Sequence, residues 1–370
     1  MFVVKGIDSL AETVDTLPAK EKELFQRIFK VTVATGEQNI PQSMQPWVSQ
    51  CFGSVASVAS QKIIKVNNLV TGEGTLFNRL RAYRPIEAKD RDTIHKDFKY
   101  TAENDMFSSP ERSTPADVFG RVTGRYCVTA SNVAKYDGMH GLVIFNDADP
   151  LGFTREQVID YIDTGWQWAR KAHALQPENK YPFFIWNCLW RAGASILHGH
   201  AHVMLTGGQH YAKLEGLRRA AMSYEGKYSS SYFDGLYEAH QSTGCALTRD
   251  GVRILTSLTP FKDNEIIIMG KELSLQFKES VYDVLEFYRD KKNITSFNLS
   301  ILTPPLAETE ECWDSFPVIA RLVDRGDPDS RTSDVGAMEI YASSVVSGDP
   351  VQLAGELKSY LGYTEEAHRG

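Results

Sequence analysis

The stretch WNCLWRAGASILHGHAHVML, residues 186–205, carries His198, His200 and His202 at alternate positions of an apolar run. On an extended strand alternate side chains share a face and stand about 6–7 Å apart, which predicts three imidazoles along one surface. A neutral imidazole, with an ordinary pKa of about 6.5, keeps one ring nitrogen free to attack phosphorus or exchange a proton near neutral pH. The middle ring, His200, is the natural nucleophile. His198 and His202 could fix its tautomer, donate to phosphate oxygens or protonate a leaving group. Two other readings stay open: chelation of zinc or copper, for which a strand spreads alternate side chains wide, and the polar face of an ordinary strand.

The residues just upstream suit an anion. Gly193 ahead of the strand permits close backbone approach, and Ser195 offers both hydroxyl and amide to phosphate oxygens. Asn187 could bond a loop carbonyl or a phosphate oxygen, or could simply end a strand.

The block His-Gly-His-Ala-His followed by Val-Met-Leu resembles the histidine-triad signature of a superfamily that transfers or hydrolyses nucleotides. Asn187, Gly193, Ser195 and His198 stand in the spacing of the galactose-1-phosphate uridylyltransferases. The segment NLVTGEGTLFNRLRAYRP, residues 68–85, resembles the same enzymes' amino-terminal segment, which implies nucleotide-contacting roles for Arg81 and Arg84. Farther on, TPFKDNEIIIMGK resembles a second-half strand, and GAMEIYA places Glu339 on a sugar-contacting glutamate. Asn132 stands where histidine-triad relatives contact the nucleoside, and is otherwise a turn residue. The two arginines are otherwise solvated surface charges.

Two departures qualify the resemblance. His202 stands where uridylyltransferases carry glutamine, as it does in the smaller histidine-triad hydrolases, so transfer and hydrolysis both stay open. Cys51, Cys127, Cys188, Cys245 and Cys312 are scattered and form no Cys-x-x-Cys pair, so no structural metal and no cofactor is expected.

The 370 residues suffice for two domains of ordinary size, and a net charge of −7 argues against general nucleic-acid binding. No run approaches the ~18 apolar residues of a membrane span, and five unpaired cysteines fit a reducing cytoplasm. The expected partners are therefore a small nucleotide and a sugar phosphate, with no nucleic acid and no membrane; a homodimer is the assembly that the resemblance allows.

A strand-helix-strand unit occurs twice. In the first copy HGLVIFN (140–146) is a strand, Thr154 with Gln157 reads as a capping box, and Val158, Ile162, Trp166 and Ala169 form a helical stripe. PFFIWNC and the histidine strand follow. In the second copy NEIIIMGK (264–271) precedes a helix with Phe277, Val281, Val284 and Tyr288 on one face, then SFNLSIL and the histidine-free TPPLAETEECW. The fold class expected is α+β: a duplicated histidine-triad-like fold of antiparallel sheets with packed helices, one copy having lost its catalytic strand.

The expected division is residues 1–66 as an amino-terminal extension without an assigned role, 67–245 as the catalytic domain, and 246–370 as a degenerate second domain. KEKELFQRIFK reads as a short helix, PQSMQPWVSQCFGSVASVASQKI as loop, and the polar segment 87–121 as a surface connection with a solvated His95. His140 is expected to pack near its strand start, and His210 to lie in an exposed loop. Three functional readings follow: nucleotidyl transfer through a nucleotidyl-His200 intermediate; histidine-triad hydrolysis or dinucleoside polyphosphate phosphorolysis; and a nucleotide-binding sensor without turnover.

Overall fold

The computed structural model describes residues 6–83, 105–330 and 332–363. Two sheets organise them. The smaller is built from β1 (Phe29–Glu37), β2 (Ser60–Asn68) and β3 (Gly74–Phe77), closed by β13 (Ser344–Val346), which pairs parallel to β3. The larger holds β4 (Cys127–Ser131), β5 (Met139–Phe145), β6 (Asn179–Cys188), β7 (His200–Gly207), β8 (Ala246–Arg249), β9 (Val252–Thr256), β10 (Ile266–Gly270), β11 (Phe297–Leu302) and β12 (Val318–Asp324). Its order is β4-β5-β7-β6-β11-β12-β10-β9-β8, antiparallel throughout.

That order contains the duplication. Strands β4-β5-β7-β6 run into β11-β12-β10-β9, the same four-strand pattern reversed about the β6–β11 seam. Each half inserts one helix between its second and third strands in the chain: Arg155–Leu175 in the first, Leu275–Glu286 in the second. The α+β class with antiparallel sheets is thus the observed one. The counterpart of the histidine strand is β12, where Arg321 and Val323 stand in the register of His202 and His200. The segment 303–313 is the connection before it.

Local chemistry explains both helices. Thr154 Oγ1 accepts the Gln157 amide while Gln157 returns a bond to the Thr154 amide at 2.7 Å, a complete capping box. Ser274 caps the second helix through the Phe277 amide. Both helices lie on one face of the sheet over Val143, Phe145, Phe184, Trp186, Leu299 and Ile301, so that face is dry. On the first helix Trp168, spaced with Tyr161, Gly165 and Ala172, takes the core position that the stripe assigned to Trp166, which stays half-buried. On the second helix Phe277, Val281 and Val284, with Tyr288 in the π turn beyond it, are buried as expected.

Three loop readings are corrected. Residues 41–63 hold the helices Gln45–Phe52 and Val55–Ala59, the second capped by Ser54, before β2 begins at Ser60. The later part of segment 87–121 is not all surface, because Asp105 and Phe107 turn inward and are buried. His210 is buried at 1 % exposure among Tyr181, Tyr211 and Trp313. Trp168 and Trp186 are core residues, whereas Trp190 is partly exposed and bonds the Pro328 carbonyl. Among the described residues no helix is long and apolar enough to cross a membrane.

Candidate active site

The face opposite the helices carries the polar residues. Antiparallel pairing sets Leu142 and Ile144 of β5 opposite His202 and His200, and Ile185 of β6 opposite His202. Extending that register by two residues sets Asn187 alongside His200. Across the seam Asn187 pairs with Asn298. Paired residues share a face, so His200, His202, Asn187 and Asn298 look out on the same side.

His198 does not belong to this row, because β7 begins at His200 and His198 lies in the bend before it. Its Nδ1 meets Asp105 Oδ2 at 2.6 Å and its Nε2 meets the Phe145 carbonyl at 2.7 Å. Both ring nitrogens are thus committed, one to a carboxylate oxygen and one to a backbone carbonyl. The ion pair with Asp105 is buried on both sides. Gly199 permits the arrangement: a Cβ there would stand 2.5 Å from the Phe145 ring.

His200 is oriented by its own loop. Its Nδ1 donates to the His198 carbonyl at 2.8 Å, which places the hydrogen on Nδ1 and leaves the lone pair on Nε2. Burial, set against the hydrogen bond to His198 and joined by the nearby His198 charge, holds its pKa below the ordinary value. The ring is open only narrowly, with 5 % of the residue exposed and Phe107 edge-on at 5.2 Å. Among the described residues the buried side-chain polar atoms without a partner are Trp186 Nε1, His210 Nε2 and Tyr224 Oη.

His202 is held by His140. The Tyr136 amide donates to His140 Nδ1 at 3.0 Å, so His140 carries its hydrogen on Nε2 and gives it to His202 Nδ1, also at 3.0 Å. The outer Nε2 of His202 is then an N–H donor. Tyr136 lies over both rings. Burial and the Lys135 charge bring His140 down to about 4, and burial with the two neighbouring histidines brings His202 down to about 3, so both are neutral at physiological pH. Lys135 is itself fixed by Ser131 Oγ and the His140 carbonyl.

The other expected site residues fall in four groups. Asn132 sits behind His202, with its amide nitrogen 3.2 Å from His140 Nε2 and its Oδ1 taking the Ala134 amide as a turn residue does. Gly193, at φ +98°, and Ser195 are exposed on the turn that leads into the histidines, a turn that opens on Leu189 at φ +66°. For a buried leucine that conformation is strained. Asn187 and Glu339 are joined by a polar chain: Asn298 donates to Asn187, Arg325 donates to Asn298 and grips Asp334, and Lys262 bonds the Asp334 carbonyl and lies 3.9 Å from Glu339. Arg81 is exposed in the helical turn after β3, on the other sheet, and Arg84 and His95 lie outside the described residues.

Sequence reasoning missed Asp105, Phe107, Tyr136, Lys135, Arg325 and Asp334, and gave His140 only a packing role. The ring nitrogens that chelation would need are committed elsewhere in His198, and on the Nδ1 side of His200 and His202. Among the described residues no group of three or more His, Cys, Asp or Glu side chains is placed to hold a metal ion.

Comparison with solved structures defines the class of fold. An ADP-glucose phosphorylase from Arabidopsis thaliana, solved with bound ADP-glucose, superposes with a TM-score of 0.57 at 18% identity, over 78% of this chain and 96% of that one. A uridylyltransferase superposes at 0.54 and 13% identity, over 81% and 98%. A GalT-like protein from Arabidopsis thaliana gives 0.53 and 18%, over 68% and 90%. The chain therefore has the duplicated histidine-triad-like fold of the uridylyltransferase type. No family model matches its sequence, and no curated protein does.

Proposed function

We propose that this protein is a nucleotidyltransferase that moves a nucleoside monophosphate between phosphorylated substrates through a covalent nucleotidyl-His200. The observation that carries the reading is the hydrogen bond from His200 Nδ1 to the His198 carbonyl, which leaves Nε2 unprotonated and able to act as nucleophile. In the first half, Nε2 attacks the α-phosphorus of a nucleotide sugar or related diphosphate. The N–P bond forms as the P–O bond to the phosphorylated leaving group breaks. His202 Nε2–H donates to a nonbridging or departing oxygen, and the Ser195 amide and hydroxyl are candidates for the same charge. In the second half an acceptor phosphate oxygen attacks the same phosphorus and frees His200. Phe107, edge-on to His200 at 5.2 Å, narrows the approach.

His202, in place of the glutamine of uridylyltransferases, favours a second reading in which water is the acceptor. Incubation with ³²P-labelled nucleotide sugar, with and without sugar phosphate or inorganic phosphate, separates the two. Transfer predicts labelled protein that discharges only when acceptor is added, and hydrolysis predicts release of nucleotide in water alone. His200→Gly must abolish the label; a labelled His200→Gly protein contradicts the assignment.

A further inference from the structure

Strand β1 belongs to the amino-terminal extension, whose residues suggest no role of their own, and it forms the edge of the smaller sheet. Among the described residues no strand lies on its outer side. Its pairing with β2 runs without a bulge from Phe29 opposite Asn68 to Glu37 opposite Ser60. Just beyond the two ends the Leu69 amide bonds the Ile28 carbonyl at 2.7 Å and the Gln38 amide bonds the Ala59 carbonyl at 2.9 Å. In an antiparallel ladder, residues that exchange hydrogen bonds with the neighbouring strand alternate with residues that do not. Ile28 and Gln38 are of the bonded kind, and so are the even-numbered residues between them. The amides and carbonyls of Val31, Val33, Thr35 and Glu37 therefore point away from β2, out of the sheet. Soluble proteins blunt such an edge with lysine, proline or a bulge, and residues 31–36, Val-Thr-Val-Ala-Thr-Gly, have none of these. Residues 32–37 are exposed on both faces of the strand, with Val33 at 45 %, although Val33 extends an apolar rung whose other member, Ile64, is fully buried.

The edge is also complementary to itself. A two-fold axis through Val33 sets Val33 against Val33 of a second copy, Val31 against Thr35, Thr32 against Ala34, and Lys30 against Gly36, which leaves space for the lysine stem. Because the axis pairs odd residues with odd ones, outward-pointing backbone groups meet outward-pointing backbone groups. The charges of the strand, Lys30 and Glu37, stand at opposite ends, and antiparallel pairing brings unlike ends together, where parallel pairing would set like against like. We propose that β1 is a homodimer interface: two copies pair β1 to β1 about Val33 and join their two four-stranded sheets into one. Such a contact is isologous, so it closes at two copies and does not propagate. It stands independently of the chemistry proposed at His200.

Sedimentation velocity and light scattering of the full chain at micromolar concentration test this, and the expected mass is twice the 41.5 kDa of one chain. Val33→Pro deletes an outward N–H and leaves the β1–β2 ladder whole, because that amide takes no part in it. It should raise the dimer dissociation constant about tenfold or more, the weight of the two backbone hydrogen bonds that Val33 exchanges across the axis. Val33→Lys keeps the amide but sets like charges face to face; it should weaken the dimer as well, and it serves where Val33→Pro fails to fold. The register has its own test. Thr32 of one copy and Ala34 of the other form a non-hydrogen-bonded pair with Cα atoms about 4.5 Å apart, within disulfide range. The double variant Thr32→Cys, Ala34→Cys should therefore oxidise to a covalent dimer whose disulfides map to those two positions. A parent chain that sediments as a monomer overturns the proposal. So does a dimer that both Val33 variants leave intact, or one in which the cysteines at 32 and 34 stay reduced.

Discussion

The position of one hydrogen on His202 decides what that ring can do. With His140 donating to its Nδ1, His202 presents Nε2–H toward the site. Without that donor the two tautomers interconvert and half of the donor function is lost. His140→Leu should therefore move the ¹⁵N signature of His202 from the Nε2–H form toward a mixture, and slow the transfer step about tenfold, less than the ~10²-fold that loss of a positioned general acid costs, because part of the donor form remains. His140→Gln, whose amide can donate in the same direction, should retain most of both. An unchanged His202 spectrum in His140→Leu would show that the ring needs no orienting partner. Little of this was legible in the chain: His140 and His202 are 62 positions apart, and Asp105 and His198 are 93 apart. No periodicity links residues brought together only by strand pairing and loop packing. The three histidines, in contrast, announce themselves by spacing.

The turn from the bend at His198 into β7 works because nothing projects from Gly199. Its amide bonds the Ala148 carbonyl and its carbonyl takes the Phe145 amide, so the chain runs hard against Phe145. That ring is stacked on Tyr161 at 3.7 Å and meets Trp186 edge-on at 4.9 Å, and cannot retreat. Gly199→Ala should cost about 1–3 kcal/mol in denaturant unfolding, as overpacked sites do, and should lower nucleotidylation because His198 and His200 flank the displaced residue. An unaltered unfolding midpoint would mean that Phe145 yields. Capped helices and apolar strands of both copies could be read locally, since each carries its own signal. The extension before β2 could not: helix Val55–Ala59 is a single capped turn of small residues whose only apolar anchor is Val58.

The fold as a whole gives two similar halves different work. Pairing across β6 and β11 makes one continuous sheet, buries helices on one side, and leaves on the other a row that begins in histidine and ends in arginine and carboxylate. The same burial makes the molecule acid-sensitive. His140, His210 and His240 lie near 4 and His202 near 3, each brought down mainly by burial from an ordinary 6.5. Native values below unfolded ones mean the unfolded chain binds protons first. The stability these rings provide is complete above pH 6.5 and is lost as pH falls toward about 4. Glu265 and Asp324, raised by burial, titrate in the opposite sense and soften the slope. Denaturant midpoints should fall between neutral pH and about pH 5, and a flat or rising profile would contradict the four neutral rings.

The most direct measurement is peptide mapping by mass spectrometry of protein quenched after brief exposure to nucleotide sugar, paired with ³¹P NMR of the trapped species. The account predicts a nucleoside monophosphate on the peptide containing His200, with the chemical shift of a nitrogen-phosphorus bond, and none on His200→Gly. A modification on His198, on His202 or elsewhere, or turnover without any protein-bound nucleotide, would contradict it.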